Sequence, residues 1–411
     1  MHVPSFIERK REGQELTGEE IGDLISGFAT GEVPDYQMSA WAMAVFFKGM
    51  TPAETRQLST AMMESGSVLE YPADSPPKVG KCSTGGVGDK TSLILAPLLA
   101  CDENWVPMIL GRGPGNSGET LHKLESIPGF NIHLDDRRAR AQLASIGVFV
   151  MEQSADLCPA DTKLQAVREA TGTMSSLPLI VAGIMSKKVT ENLDRLVVDV
   201  KYGGGTYVKT RKAAEQLAAA MAKVGKLMGV QVRHVLSAMK EPLGRTVGNA
   251  LEIAESVEVL RGGGPKDVVK LVLDLAEQVS KAKRARLESW LKDGTAWKKF
   301  ISLVYAQDGD ASSLEKLGEI HRAPIIHPFP AKSSGKVKKM DAESIRRALL
   351  LLGGGRARDE DAIDFAVGFS GIKKIGEQVE KGEPLFNIHA RTEVALRAVL
   401  PALDQAAEVQ G

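Results

Sequence analysis

The stretch KCSTGGVGDKTS, Lys81 to Ser92, decides how the rest of the chain is read. Three glycines, Gly85, Gly86 and Gly88, stand between a short extended run and the apolar segment TSLILAPLLA that begins at Thr91. Glycine takes positive φ at little cost and lets backbone N–H groups approach an anion closely. Lys81, Ser83, Thr84, Thr91 and Ser92 add side-chain donors of the kind that hold phosphate. A helix starting at Thr91 turns its positive N-terminal end towards the same point. The stretch therefore reads as strand, anion cradle and helix. It is not a Walker A loop, because Asp89 separates Gly88 from Lys90, and no G-x-G-x-x-G fingerprint opens it.

Working outward towards the C-terminus, strand and helix alternate. WVPMIL (Trp105 to Leu110) reads as a strand running into GRGPGNSGETLHKLE, a second small-residue turn with Ser117 and Thr120 at a helix start. Asp135 opens a further helix and Val148 to Met151 is a strand. RLVVDV (Arg195 to Val200) is a buried strand before the third glycine turn, KYGGGTYV. Val230 to Val235 and helices from Asn249 and Pro265 continue the pattern. Between them, Pro159 and Pro178 open two helices, the first carrying Leu164, Val167 and Arg168. The second places Gly183 and Lys187 four apart on one face.

Towards the N-terminus, residues 1–70 read as all-helical. Thr17 with Glu20 forms a capping box ahead of Ile21, Leu24, Ile25 and Phe28, and Thr51, Pro52 and Glu54 repeat the signal. Met38, Trp41, Ala42, Val45 and Phe46 form an apolar stripe suited to a core or a subunit contact. YPADSPP (Tyr71 to Pro77) and HRAPIIHPFPAKSS (from His321) read as linkers. Beyond the second, GKVKKM and IGEQVEKGEPLFNIHA give short strands with turns at Gly376 and Gly382, like a lipoyl-type hairpin without a lysine at its tip.

The fold class expected is thus α/β in several domains. A helical lobe stands beside an α/β lobe with a central mixed sheet, followed by a small C-terminal α/β, hairpin-barrel-like domain. The boundaries expected are 1–70 and 159–192 for the helical lobe, 71–158 and 193–325 for the α/β lobe, and 326–411 for the last domain. A cleft between the two lobes is the expected ligand site.

Composition limits the partners. Among 411 residues, 52 basic and 52 acidic side chains balance, which gives no electrostatic reason to expect nucleic acid or a membrane surface. Aromatic content of 5% argues against stacking platforms for single strands. No apolar run approaches the ~20 residues of a membrane span, and the N-terminal segment has no signal-like apolar core. Cys82, Cys101 and Cys158 fit no zinc pattern. A soluble cytoplasmic protein is expected.

Several long stretches then point together. VPDYQMSAWAMA (from Val33), KCSTGGVGDKTS, GRGPGNSGETLHKLESIPGF (from Gly111), the segment Ser154 to Lys188, DVKYGGGTYV and EPLGRTVGNALEI (from Glu241) resemble the thymidine and pyrimidine-nucleoside phosphorylases nearly end to end. The resemblance implies a homodimer that cleaves a pyrimidine nucleoside with inorganic phosphate, giving free base and pentose 1-phosphate, without a further cofactor. It places Lys81, Ser83, Ser92, Thr120 and Ser117 at phosphate. It places Arg168, Lys187, Gly183 and Gln165 at the base, with Arg168, Lys187 and Cys82 at the reacting centre. Lys90 stands where some family members carry a threonine beside bound potassium, so its ammonium is expected to replace that metal among oxygens around PLGRTVGN and Glu255.

The departures from the family pattern cluster in the same pocket. Cys82 stands for a histidine, Leu110 for a serine, Asn116-Ser117-Gly118-Glu119 for His-Thr-Gly-Gly, Gly183 for a serine and Gln165 for a tyrosine. They imply a remodelled pocket, with thymidine a poor substrate and a base- or sugar-modified pyrimidine nucleoside a better one, fitted into space vacated at Gly183. Two other outcomes remain open at this point. One is a related phosphoribosyltransferase using a diphosphate, against which Glu119 argues. The other is a non-catalytic paralogue that binds nucleoside or phosphate, against which the retained Lys81, Arg168 and Lys187 argue.

Overall fold

The computed structural model describes residues 2–111, 120–356 and 361–411. The chain opens with four helices, α1 (Val3–Arg11), α2 (Gly18–Thr30), α3 (Asp35–Lys48) and α4 (Pro52–Glu64). Both capping boxes form: Thr17 and Thr51 accept from the N–H groups of Glu20 and Glu54, whose carboxylates accept in return. Ile21, Leu24, Phe28, Trp41, Leu58 and Met62 close into one core with Leu164, Val167 and Leu179 from much later in the chain. Each large side chain so buried contributes on the order of 1.5–3 kcal/mol. This core is what draws the two later helices onto the first four.

The middle of the chain runs β1 (Val79–Ser83), α5 (Thr91–Leu99), β2 (Val106–Leu110), α6 (Thr120–Glu125), α7 (Asp136–Ile146) and β3 (Val148–Glu152). The two inserted helices follow, α8 (Pro159–Ala170) and α9 (Leu177–Thr190). Then come β4 (Arg195–Tyr202), α10 (Arg211–Leu227), β5 (Gln231–Ala238), α11 (Asn249–Leu260), α12 (Lys266–Val279), α13 (Arg284–Lys292), α14 (Thr295–Ala306) and the short α15 (Leu317–Ile320).

The strands β1, β4 and β5 pair in parallel, as do β2 and β3, and a parallel bridge between Lys78 and Trp105 joins the two groups. The mixed sheet expected here is, among the described residues, parallel throughout. The physical reason is the connections: every strand-to-strand link in this lobe passes through at least one helix, and a helical crossover returns the chain in the same direction. Parallel strands bring the C-terminal ends of β1, β2 and β4 to one edge, the place where open α/β sheets bind ligands.

The last part comprises β6 (Ile325–Pro330), β7 (Gly335–Met340), α16 (Ala342–Leu352), β8 (Gly368–Ser370), β9 (Gln378–Val379), β10 (Pro384–Ala390), α17 (Glu393–Leu403) and β11 (Ala407–Gln410). Two small antiparallel sheets form, ordered β6–β10–β8 and β11–β7–β9. The expected linker from His321 is corrected by β6, which pairs with β10. Pro328 and Pro330 hid the strand in the sequence; an edge strand tolerates them because its outer N–H groups have no ladder partner to lose.

Candidate active site

The turn after β1 takes the cradle shape. Gly85 and Gly88 have φ of 91° and 72°, and a Cβ on Gly88 would lie 2.5 Å from the Leu243 carbonyl oxygen. Gly86 is required for a different reason: a Cβ there would meet the Lys201 side chain at 2.4 Å. The Lys81 ammonium donates to Ser92 Oγ at 3.0 Å, joining β1 to the first turn of α5. Asp89 organises the floor of the cradle. Its Oδ1 accepts from Thr91 N–H and Oγ–H, at 3.1 and 2.6 Å, so the start of α5 is partly satisfied from within. Its Oδ2 lies 3.5 Å from Lys81 Nζ and 3.6 Å from Lys201 Nζ. Burial opposes the Asp89 charge, but Lys201 and Lys81 outweigh it and hold the carboxyl well below the usual range. Lys201 also pairs with Asp199 at 2.5 Å, and Ser237 donates to the other Asp199 oxygen.

Opposite the cradle stand α8 and α9. Arg168 is buried and donates from Nη1 to the Leu179 carbonyl at 3.2 Å and from Nη2 to the Met174 carbonyl at 3.0 Å. Each terminal nitrogen keeps one further N–H. The Lys187 ammonium is half-exposed and pairs with Asp161 Oδ2 at 2.8 Å, with Gln165 Oε1 at 3.5 Å. A single cleft of about 500 Å³ is lined by both ends: Lys81, Cys82, Ser83, Ser92 and Thr120 on one side, and Gln165, Arg168, Gly183 and Lys187 on the other. Of the site residues expected from sequence, Ser117 lies outside the described residues, together with its neighbours Asn116, Gly118 and Glu119. One wall of such a cleft offers cations and hydroxyls to an anion, and the other offers cations to a carbonyl-bearing ring.

Comparison with known proteins places the chain in a family. Residues 4–66 match the helical bundle domain of the glycosyl transferase family and residues 75–296 its a/b domain. Residues 336–410 match the pyrimidine nucleoside phosphorylase C-terminal domain. The pyrimidine-nucleoside phosphorylase of Bacillus subtilis (strain 168) is 43% identical over 402 residues, 96% of this chain and 93% of that protein. The chain belongs to the pyrimidine-nucleoside phosphorylase family. The Geobacillus stearothermophilus phosphorylase is 42% identical over 402 residues, again 96% and 93% of the two chains. Staphylococcus aureus (strain USA300) has a phosphorylase 42% identical over 399 residues, 95% and 92% of the two. Among solved structures, anthranilate phosphoribosyltransferase from Thermus thermophilus shares the fold with a TM-score of 0.60, at 17% identity, over 73% of this chain and 98% of that one.

Several expectations change within this family frame. Burial pushes the Cys82 thiol up to about 12, so it stays protonated and supplies neither base nor thiolate. Cys82 belongs to one apolar cluster with Val181, Met185 and Leu196 and still lines the cleft. The space expected at Gly183 is not empty: a Cβ there would meet Asp161 Oδ1 at 2.7 Å. The apolar stripe on α3 is also divided, since Met38, Trp41, Ala42 and Val45 are fully buried in the chain's own core. Lys90 meets its expected oxygens. Its ammonium donates to the Leu243 carbonyl at 3.2 Å, to the Thr246 carbonyl at 3.0 Å and to Thr246 Oγ1 at 3.2 Å, and it pairs closely with Glu255.

Other site residues went unread in the sequence. Asp161 precedes Gln165 and Arg168 by four and seven positions, a helical spacing that puts all three on one face of α8 and was a usable signal. Lys201 gave no local signal, because it reaches Asp89 only through the pairing of β1 with β4. Tyr207, Lys209, Glu343 and Arg346 line the rim from the turn after β4 and from α16. Contacts between elements so far apart in the chain carry no periodicity.

Proposed function

We propose that the chain cleaves pyrimidine nucleosides with inorganic phosphate to free base and pentose 1-phosphate. The observation that carries this reading is the single cleft with hydroxyls and Lys81 at one end and Arg168 and Lys187 at the other. As the C–N bond breaks, negative charge moves onto the base and the sugar becomes cationic. Arg168 and Lys187 stabilise the departing base more as its charge grows, which lowers the barrier. Lys81, Ser83, Ser92 and Thr120 hold phosphate against the other face of the sugar, where it is both nucleophile and counter-charge. Holding it there replaces a bimolecular encounter by a positioned one. The phosphate oxygen forms the new bond to C1 of the pentose while the electron pair of the old bond leaves with the base. The reaction uses no organic cofactor, and the Lys90 ammonium stands where a monovalent cation would otherwise join the Leu243 and Thr246 oxygens to Glu255.

Cys82, Leu110 and Gly183 stand where the family pattern has polar side chains, and each neutral hydrogen bond lost there is worth about 1 kcal/mol. Thymidine is accordingly expected to turn over less well than another pyrimidine nucleoside. A homodimer is part of the same reading. Its support is an apolar patch on α3, where Tyr36 and Phe47 are 74% and 75% exposed beside Phe46. A cytoplasmic setting suits the free thiols, and among the described residues no helix is long and apolar enough to cross a membrane.

The test is base release from a panel of pyrimidine nucleosides with and without phosphate. Release that needs phosphate, with pentose 1-phosphate as co-product, is expected. Absence of release from every member would overturn the reading, and thymidine turnover at about 10⁴ M⁻¹s⁻¹ or above would overturn the stated preference.

A further inference from the structure

We infer that Asp161 reads the ring N–H of the base, in the place that a side chain at position 183 would otherwise fill. The inference rests on the functional reading above and deepens it by assigning the base-reading acceptor. Asp161 lies in the first turn of α8, is almost fully buried and lines the cleft. Its Oδ2 is held by Lys187 at 2.8 Å. Its Oδ1 lies against Gly183, 2.7 Å from where a Cβ would stand, and that same point is 3.7 Å from Arg168 Nη1. Four residues thus form one patch, with a carboxylate between an ammonium and a guanidinium.

The chemistry of that patch is directional. Lys187 is donor only, Arg168 is donor only, and an ionised carboxylate is acceptor only. The sequence around the patch is donor, acceptor, donor. The edge of a uracil-type ring presents the complement, a carbonyl on each side of an N–H. A cytosine-type edge has a bare ring nitrogen in the middle, whose lone pair faces the carboxylate, and an amino group where a carbonyl is needed. A buried polar group left facing its like rejects the wrong ligand far more strongly than a change of size does. Gly183 is the condition for this arrangement, because any Cβ there displaces Oδ1.

The test compares uracil-type and cytosine-type ligands in the full-length chain and in three variants. The readouts are kcat/KM for uridine against cytidine, and affinity for free uracil against free cytosine by titration calorimetry. The wild-type chain should favour uracil-type ligands in both. Asp161→Asn keeps the shape but can turn an amino group to the ring, and should lower the uracil-to-cytosine ratio about tenfold or more. Gly183→Ala should do the same by pushing the carboxylate aside, which covers the case in which Asp161→Asn folds poorly. Gly183→Ser displaces the carboxylate but supplies a hydroxyl acceptor, so its ratio should stay closer to wild type than that of Gly183→Ala. Equal losses on both ligands, a ratio unmoved in Asp161→Asn and Gly183→Ala, or no uracil preference in the wild type would overturn the inference. Absence of turnover with uracil preference intact in the binding experiment would overturn the functional reading alone.

Discussion

The two ends of the cleft are built on different principles. At the end proposed to hold phosphate the donors sit on strand ends and glycine turns, and their partners are side chains: Lys81 on Ser92, with Asp89 between Lys81 and Lys201. At the end proposed to hold the base the donors sit on helices, and Arg168 spends two N–H groups on backbone carbonyls of its own lobe. The first end is an electrostatic cradle whose charges balance one another and can be shared with an incoming anion. The second uses one guanidinium for structure and recognition together. A change at the first should therefore alter chemistry alone, and a change at the second should alter stability as well.

The largest effect tests what lies beneath the cradle. Lys90→Met leaves Glu255 buried without its counter-charge, and the expected loss is about 3–5 kcal/mol of stability. Lys90→Thr should recover part of it in potassium but not in sodium, while the wild-type chain should melt at the same temperature in either. A wild type that depends on potassium would show that the ammonium does not stand for a cation.

Lys81→Met comes next and addresses the contrast directly. Removing one preorganised donor to a reacting anion costs on the order of 10²–10³ in kcat/KM, whereas the melting temperature should stay within about 3 °C, since Asp89 keeps Lys201. A large fall in melting temperature would erase the distinction between the ends. Arg168→Met should lower both quantities. It leaves the Met174 carbonyl without its side-chain donor, at about 1–3 kcal/mol where no water replaces it, while the Leu179 carbonyl keeps its place in the α9 ladder, and it withdraws one charge from the leaving base. Activity loss with unchanged melting would mean that the two carbonyl contacts are dispensable.

The smallest effect concerns the seam between the two ends. Lys188, on α9, donates to the Ile109 carbonyl on β2 at 3.0 Å and pairs with Glu191 at 2.5 Å, while Glu191 accepts from Ile109 N–H at 3.1 Å. Burial raises the Glu191 carboxyl to about 7 despite Lys188. The folded chain thus holds a proton that the unfolded chain releases near 4.5. Stability linked to this group is greatest below that value and falls as pH rises towards about 7. In Glu191→Gln this fall should be missing, so melting curves of the two proteins from about pH 4.5 to 8 should converge or cross as pH rises. Parallel curves would show that Lys188 keeps the carboxylate charged throughout.

The fold was legible where local physics decides it. Thr17 and Thr51 announce helix starts because a hydroxyl three residues before a glutamate satisfies end groups that every helix has. The strand β6 was not legible, since its prolines break the local pattern and only the pairing with β10 rescues it. In the site, the residue types of Lys81, Ser92, Arg168 and Lys187 were readable, whereas on α3 only the packing of the helical lobe separates buried Trp41 from exposed Phe46.

By itself, the sequence determined the order of helices and strands up to the last domain, the glycine cradle and the cations at both ends, because each depends on neighbours within a few residues. The tertiary structure alone decided which of those charges are already partnered. Asp89 meets Lys201 and Asp161 fills the space over Gly183 only after segments distant in the chain are packed together. Electrostatic energy depends on distance in space and on burial, and neither is written in the spacing along the chain.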